Sequence, residues 1–253
     1  MAKRNRKSRR DDHPRSSRDD NIVRHPFSGD TGWHPLEERI DAARDKKYVR
    51  KVRARTEGQQ QLMDAIAAHN LTLAIGPAGT GKTYLAITAA VEALEAGKIE
   101  RIILSRPAME AGESLGFLPG DLQEKMAPYL RPLYDALGDR MGGKRVRGHL
   151  EDGTIEIAPV GFMRGRTLNN AFVVIDEAQN CTYAQLKMLL SRLGWHSTMV
   201  ITGDPDQSDL LEGISGLAPI SRKLETVGGI AVVRLNQTDI VRHPLVAQML
   251  DVL

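Results

Sequence analysis

Residues Gly76-Pro77-Ala78-Gly79-Thr80-Gly81-Lys82-Thr83 read GPAGTGKT, a complete match to the pattern G-x-x-x-x-G-K-[ST]. Such a run constrains the fold through its flanks, because it works only between an incoming strand and an outgoing helix. Leu71 to Ile75 (LTLAI) is an apolar run of strand length, and Tyr84 to Ala96 repeats apolar residues at helical spacing up to Gly97. The glycines let successive backbone N–H groups turn inward around a phosphate, and the helix start adds the positive end of its dipole. Lys82 then has the reach for β- and γ-phosphates, and the Thr83 hydroxyl suits Mg²⁺. The segment implies a nucleoside triphosphate as ligand.

Two further segments supply the groups that chemistry would need. Ala171 to Asn180 reads AFVVIDEAQN, an apolar strand ending in Asp176 and Glu177. Two carboxylates at the end of a buried strand are costly unless a cation or a reaction uses them. Asp176 is expected to support the metal and Glu177 to polarise the attacking water as base. Thr198 to Gln207 reads TMVITGDPDQ, again an apolar strand running into a polar tip. Its Gly-Asp-x-x-Gln end resembles motif III of superfamily 1 helicases, which makes Gln207 the candidate γ-phosphate sensor. An amide suits that role because it donates and accepts at once.

The segments between these motifs are more specific. SRPAMEAGESLGFLPGDLQEKMAPYLRPLYDAL (Ser105 to Leu137), GFMRGRTLNNAFVVIDEAQN (Gly161 to Asn180) and DIVRHPLV (Asp239 to Val246) resemble the PhoH family. Helicases at large share the phosphate loop and DEAQ, but not GFLPGDL or RGRTL. The resemblance covers about Thr56 to Val246; Met109, a departure within the RPA-x-EAGE run, touches no chemistry. It implies a single helicase-like ATPase core using ATP and Mg²⁺, associated in this family with phosphate starvation and with hexameric rings. Many members carry a further N-terminal domain and some a nuclease domain. Here about fifty residues precede the core, fewer than a domain usually needs.

Charge sets that front segment apart. Residues 1–30 hold nine Lys and Arg against five Asp, a surplus of four positive charges in a chain whose net charge is +3. The remainder is therefore close to neutral. Residues 1–50 are expected to be a basic, largely disordered tail, and 51–253 the ATPase domain. The tail reads either as an electrostatic arm for RNA or DNA or as a solvated segment that binds nothing. Hydrophobic residues make up 41% of the chain, enough for a core, whereas 4% aromatics argue against extensive base-stacking platforms. The single Cys181 excludes an intramolecular disulfide. No apolar run approaches the roughly 18 residues of a membrane span, and no secretory signal opens the chain. The expected location is cytoplasmic, with no membrane contact.

Coarse periodicity alternates strand and helix. A helix is expected over Thr56–His69, followed by strands at Leu71–Ile75, Ile102–Ser105, Ile155–Ala158, Phe172–Ile175, Met199–Thr202 and Ile230–Val233. Helices are expected between them at Tyr84–Ala96, Asp121–Leu137, Thr182–Leu193 and Leu217–Val227. This order predicts an α/β fold: one RecA-like P-loop NTPase domain, its mainly parallel sheet covered by helices on both faces. The ligand then sits at the carboxyl ends of the strands.

Other residues carry two readings each. Gln59 occupies the place of the Gln that reads adenine in superfamily 1 helicases, with Gln60 and Gln61 competing for the register. Arg106 lies where helicases put a nucleic-acid-contacting motif, and equally suits a plain strand-end cation. Gly142 to Gly148 (GGKRVRG) places Lys144, Arg145 and Arg147 in a glycine-flanked turn, either a basic finger for a phosphate backbone or a solvated hairpin. Arg164 and Arg166 precede the Asp-Glu strand and suit either the cleft or a subunit contact. A two-domain helicase takes its arginine finger from a second RecA-like half, and the core here holds one. A neighbouring subunit is the economical source, with Arg242 as the finger and Arg166 as the second choice.

The leading expectation is an oligomeric, Mg²⁺-dependent ATPase, a hexameric ring acting on RNA or single-stranded nucleic acid. The alternative is a regulatory ATP-binding switch with little turnover. A third class, an RNA-processing nuclease, finds no second acidic cluster ahead of Gln59.

Overall fold

The apolar runs of this chain are too short and too continuous for amphipathic helices, and they pair as the buried strands of a parallel sheet. The computed structural model describes residues 52–107, 122–211 and 213–241. The tail expected over residues 1–50, and Arg242, lie outside the described residues. The strands are β1 (Leu71–Ile75), β2 (Arg101–Arg106), β3 (Ile155–Pro159), β4 (Ala171–Ile175), β5 (Thr198–Gly203) and β6 (Ile230–Arg234). They form one sheet in the order β3-β2-β4-β5-β1-β6, every pair parallel. The six expected strands are all present, each within a residue of its expected ends.

Side chains alternate between the two faces. Ala74, Ile102, Leu104, Phe172, Val174 and Val200 point into one core with the helices α1 (Glu57–Ala68), α2 (Lys82–Glu95), α3 (Leu122–Met141) and α4 (Gly143–Glu151). Leu73, Ile75, Ile103, Val173, Ile175, Met199 and Ile201 point into the other, covered by α5 (Tyr183–Leu190) and α6 (Leu217–Leu224). The two-sided α/β architecture is thus the expected one. Thr56 caps α1 through its hydroxyl, and Thr182 with Gln185 forms a reciprocal capping box on α5.

The structure corrects three local readings. GGKRVRG is not a turn or hairpin. Gly142, at φ 78°, closes α3, and residues from Gly143 onward form α4, so Lys144, Arg145 and Arg147 ride on a helix. Val146, fully buried, anchors that helix, and Arg145 pairs with Glu95 of α2 at 3.0 Å. The helices expected to reach Leu193 and Val227 stop at Leu190 and Leu224, where loops carry the chain into β5 and β6. In the other direction α3 runs on past Leu137, through Gly138, to Met141.

Candidate active site

Fold order brings the three polar segments to one edge. β5 lies between β1 and β4, so the phosphate loop, the Asp-Glu pair and the Gly-Asp-Pro-Asp-Gln tip leave neighbouring strands at their carboxyl ends. The loop's glycines adopt the conformations its path demands. Gly76 sits at φ 146°, and a Cβ there would lie 2.3 Å from the carbonyl oxygen of Leu235. Gly81, at φ 85°, turns the chain into α2.

Inside the loop the Lys82 ammonium donates to the carbonyls of Gly76 (2.6 Å) and Pro77 (2.8 Å). Burial pushes this ammonium below the usual lysine range, while the carboxylates of Asp204, Glu177 and Asp176 work in the opposite direction. The Thr80 hydroxyl donates to the Pro77 carbonyl at 2.9 Å, bracing the loop across its width.

Asp176 collects donors from three elements. Its Oδ1 accepts from the Thr83 hydroxyl at 2.5 Å and from the Thr202 hydroxyl at 2.7 Å, and Arg106 approaches Oδ2 at 3.5 Å. Asp176 is buried, yet its charge is met on every side, so the desolvation cost is offset. Glu177 follows in a left-handed conformation at φ 53°, which turns its half-exposed side chain out of the strand. Its Oε2 accepts from Gln179 Nε2 at 2.5 Å, and its Oε1 lies 3.6 Å from Arg106.

Gln179 and Thr202 are the residues the sequence reading missed. Gln179 is buried; besides reaching Glu177, its Oε1 accepts from the backbone N–H of Asp204 at 3.0 Å. One amide therefore ties the Asp-Glu turn to the tip of β5. Asn180 and Asp209 add a reciprocal pair between the same loops, side chain to side chain at 2.7 Å and backbone N–H to side chain at 2.9 Å. Gln207 lies exposed on that tip, its backbone N–H closing a turn on the Asp204 carbonyl at 3.1 Å.

Of the three adjacent glutamines, Gln59 alone is buried. Its Nε2 donates to the Thr80 carbonyl at 3.0 Å and its Oε1 accepts from the Arg55 N–H at 2.9 Å. Gln60 and Gln61 make surface pairs with Asp64 and Glu57. The segment after β6 also closes on the loop, since the Val241 N–H donates to the Gly79 carbonyl at 3.0 Å. A cleft of about 480 Å³ opens alongside, between Gly76-Pro77, the Asp204–Asp206 tip, α6 and the exit of β6.

Two residues take no part in these contacts. Arg166 grips the buried Glu156 of β3 with both terminal nitrogens, at 2.5 and 2.6 Å. That bidentate pair ties its guanidinium to β3 of its own chain. Burial pushes the Cys181 thiol up to about 12, so it is protonated and unreactive near neutral pH.

A parallel sheet with a phosphate loop after β1, paired carboxylates after β4 and an intervening β5 is a RecA-like P-loop NTPase domain. The PhoH family model, described as PhoH-like protein, matches residues 51–253, and the chain belongs to that family. The PhoH-like protein of Bacillus subtilis (strain 168) is 56% identical over 203 residues, covering 80% of this chain and 64% of the relative. That of Synechocystis sp. is 55% identical over 201 residues, 79% of this chain and 61% of the relative. The chain thus spans a little under two thirds of the curated relatives it matches. Among solved structures, the Sulfolobus solfataricus SWI2/SNF2 ATPase core in complex with dsDNA is similar at 18% identity and a TM-score of 0.46, covering 75% of this chain and 46% of that one.

Proposed function

We propose that the chain binds and hydrolyses ATP with Mg²⁺ and works on RNA or single-stranded nucleic acid as an oligomeric ring. The observation that carries the hydrolytic part is the convergence on Asp176 of the Thr83 and Thr202 hydroxyls, with Glu177 adjacent and Lys82 in the facing loop. A hydroxyl and a carboxylate 2.5 Å apart are a hard-oxygen donor pair, and that chemistry fits Mg²⁺. Thr83 and Asp176 would hold the ion, which when bound neutralises phosphate charge and supports phosphoryl transfer.

The chain's own residues do the rest. Residues Gly76 to Thr83 cradle the phosphates with backbone N–H groups, and Lys82 supplies its charge to the β- and γ-phosphates. Glu177 takes the proton at a carboxylate oxygen as a water is activated. Gln207 senses the γ-phosphate, and Gln59, held at the end of the loop, reads the adenine edge. The Gln59 amide keeps one N–H and one lone pair beyond its two bonds.

The described residues form one RecA-like unit, and we assign the arginine finger to Arg242 of a neighbouring subunit. Such an arginine is worth about 10³–10⁵ in rate where it has been dissected. No helix among the described residues is long and apolar enough to cross a membrane, and we assign the protein to the cytoplasm. We read residues 1–50 as a basic tail on the 51–253 domain. Support for the nucleic-acid part is family membership and the basic charge of that front segment.

The test is phosphate release by the full chain across a range of protein concentrations, with and without single-stranded poly(U). The proposal expects turnover per chain to climb with concentration and to rise further with the polymer. A rate flat in both variables would leave a bare ATPase and remove the ring and the nucleic acid.

A further inference from the structure

Arg106, the last residue of β2, faces both carboxylates of the site at once. One terminal nitrogen is 3.5 Å from Asp176 Oδ2 and the other 3.6 Å from Glu177 Oε1. Among the described residues these two carboxylates are its only partners. Its side chain is 22% exposed at the strand's outer end. The other oxygen of Glu177 is occupied by Gln179. One oxygen of the half-exposed proposed base is thus hydrogen-bonded by an amide, and the other faces a guanidinium at ion-pair distance, so the carboxylate is held between the two.

The two engagements differ in how they can be undone. Gln179 is buried and held at its far end by the Asp204 N–H, so it is fixed. Arg106 is held by long, partly solvated ion pairs, which are weak. Its planar fork has a better bidentate partner in the oxygens of a phosphodiester, at distances shorter than those it keeps here.

We propose that Arg106 is a positioning residue that restrains Glu177, and that the phosphate backbone of a single-stranded nucleic acid releases the restraint by taking its guanidinium. The carboxylate is then free to receive the proton, and ATP turnover becomes coupled to the polymer. This rests on the ATPase reading above and adds to it the residue through which the polymer acts.

The experiment compares wild type, R106Q, R106K and E177Q as full chains. ATP binding, KM and kcat are measured with and without poly(U). R106Q is expected to raise basal kcat about fivefold, the factor one partly exposed ion pair is worth, at unchanged KM. Its stimulation by poly(U) should fall toward one. R106K, which keeps the charge but loses the planar fork, should lie between; if R106Q does not fold, R106K must still exceed the wild-type basal rate.

A basal rate in both variants no higher than wild type overturns the restraint. So does stimulation of R106Q by the same factor as wild type, or a wild-type rate indifferent to poly(U). If wild type and R106Q bind ATP yet release no more phosphate than E177Q, the ATPase reading falls and the restraint with it. If wild type turns over and the variants are merely slower, only the restraint falls.

Discussion

Asp176 and Glu177 are adjacent in sequence but live in different environments. The first is buried and met by two hydroxyls, the second half-exposed and met by an amide and a guanidinium. Such a division suits one carboxylate to a cation and the other to a proton. The motifs themselves were legible because they are local: the phosphate loop and the Asp-Glu pair are contiguous runs. Gln179 and Thr202 were not, because their roles arise only when β5 is placed beside β4. Lys82→Ala removes the loop's one cation and should weaken ATP binding by about 10- to 100-fold, read by equilibrium binding; unchanged affinity would contradict its assignment. Gln179→Ala should leave KM near wild type and lower kcat about tenfold, because it unties the β5 tip from the Asp-Glu turn. A rise in KM with kcat intact would place Gln179 in binding instead.

At the scale of elements, strands were the easiest part to read, since continuous apolar runs bounded by polar tips leave little choice. Helix α4 was hidden because Gly142, Gly143 and Gly148 imitate a turn and Val146 alone marks a buried face. The long-range strap behind β6 left no local signal either. There Asp239, buried, ties the turn after β6 to the start of α1. The backbone N–H of Asn236 is the strongest influence holding its carboxyl below the usual range, followed by the Thr56 hydroxyl, with the Gly58 N–H adding to them against burial. A depressed carboxyl stabilises the fold above its unfolded value, near 4, and loses that stabilisation as pH falls through the folded one. Asp239→Ala should therefore cost about 1–3 kcal/mol at neutral pH by denaturant titration. The gap to wild type should hold down to about pH 4 and shrink below it. A gap that widens on acidification would mean the strap is not carried by the carboxylate.

At the scale of the whole molecule, the sheet gathers a phosphate loop, a metal-suited carboxylate, a proposed base and the β5 tip onto one edge. The same sheet puts the Arg166–Glu156 pair on its far strand, where it braces β3. What completes the site from outside, and what polymer drives it, follow only if the edge performs hydrolysis. The most direct test uses radiolabelled ATP with Mg²⁺ and compares wild type with Glu177→Gln, measuring bound nucleotide and released phosphate in the same samples. The account predicts equal binding, with phosphate release slowed in the variant by about 10²–10⁴, the range general bases contribute. Equal release from both proteins would show that Glu177 is not the base, and no release from wild type at full occupancy would show that the site binds without hydrolysing.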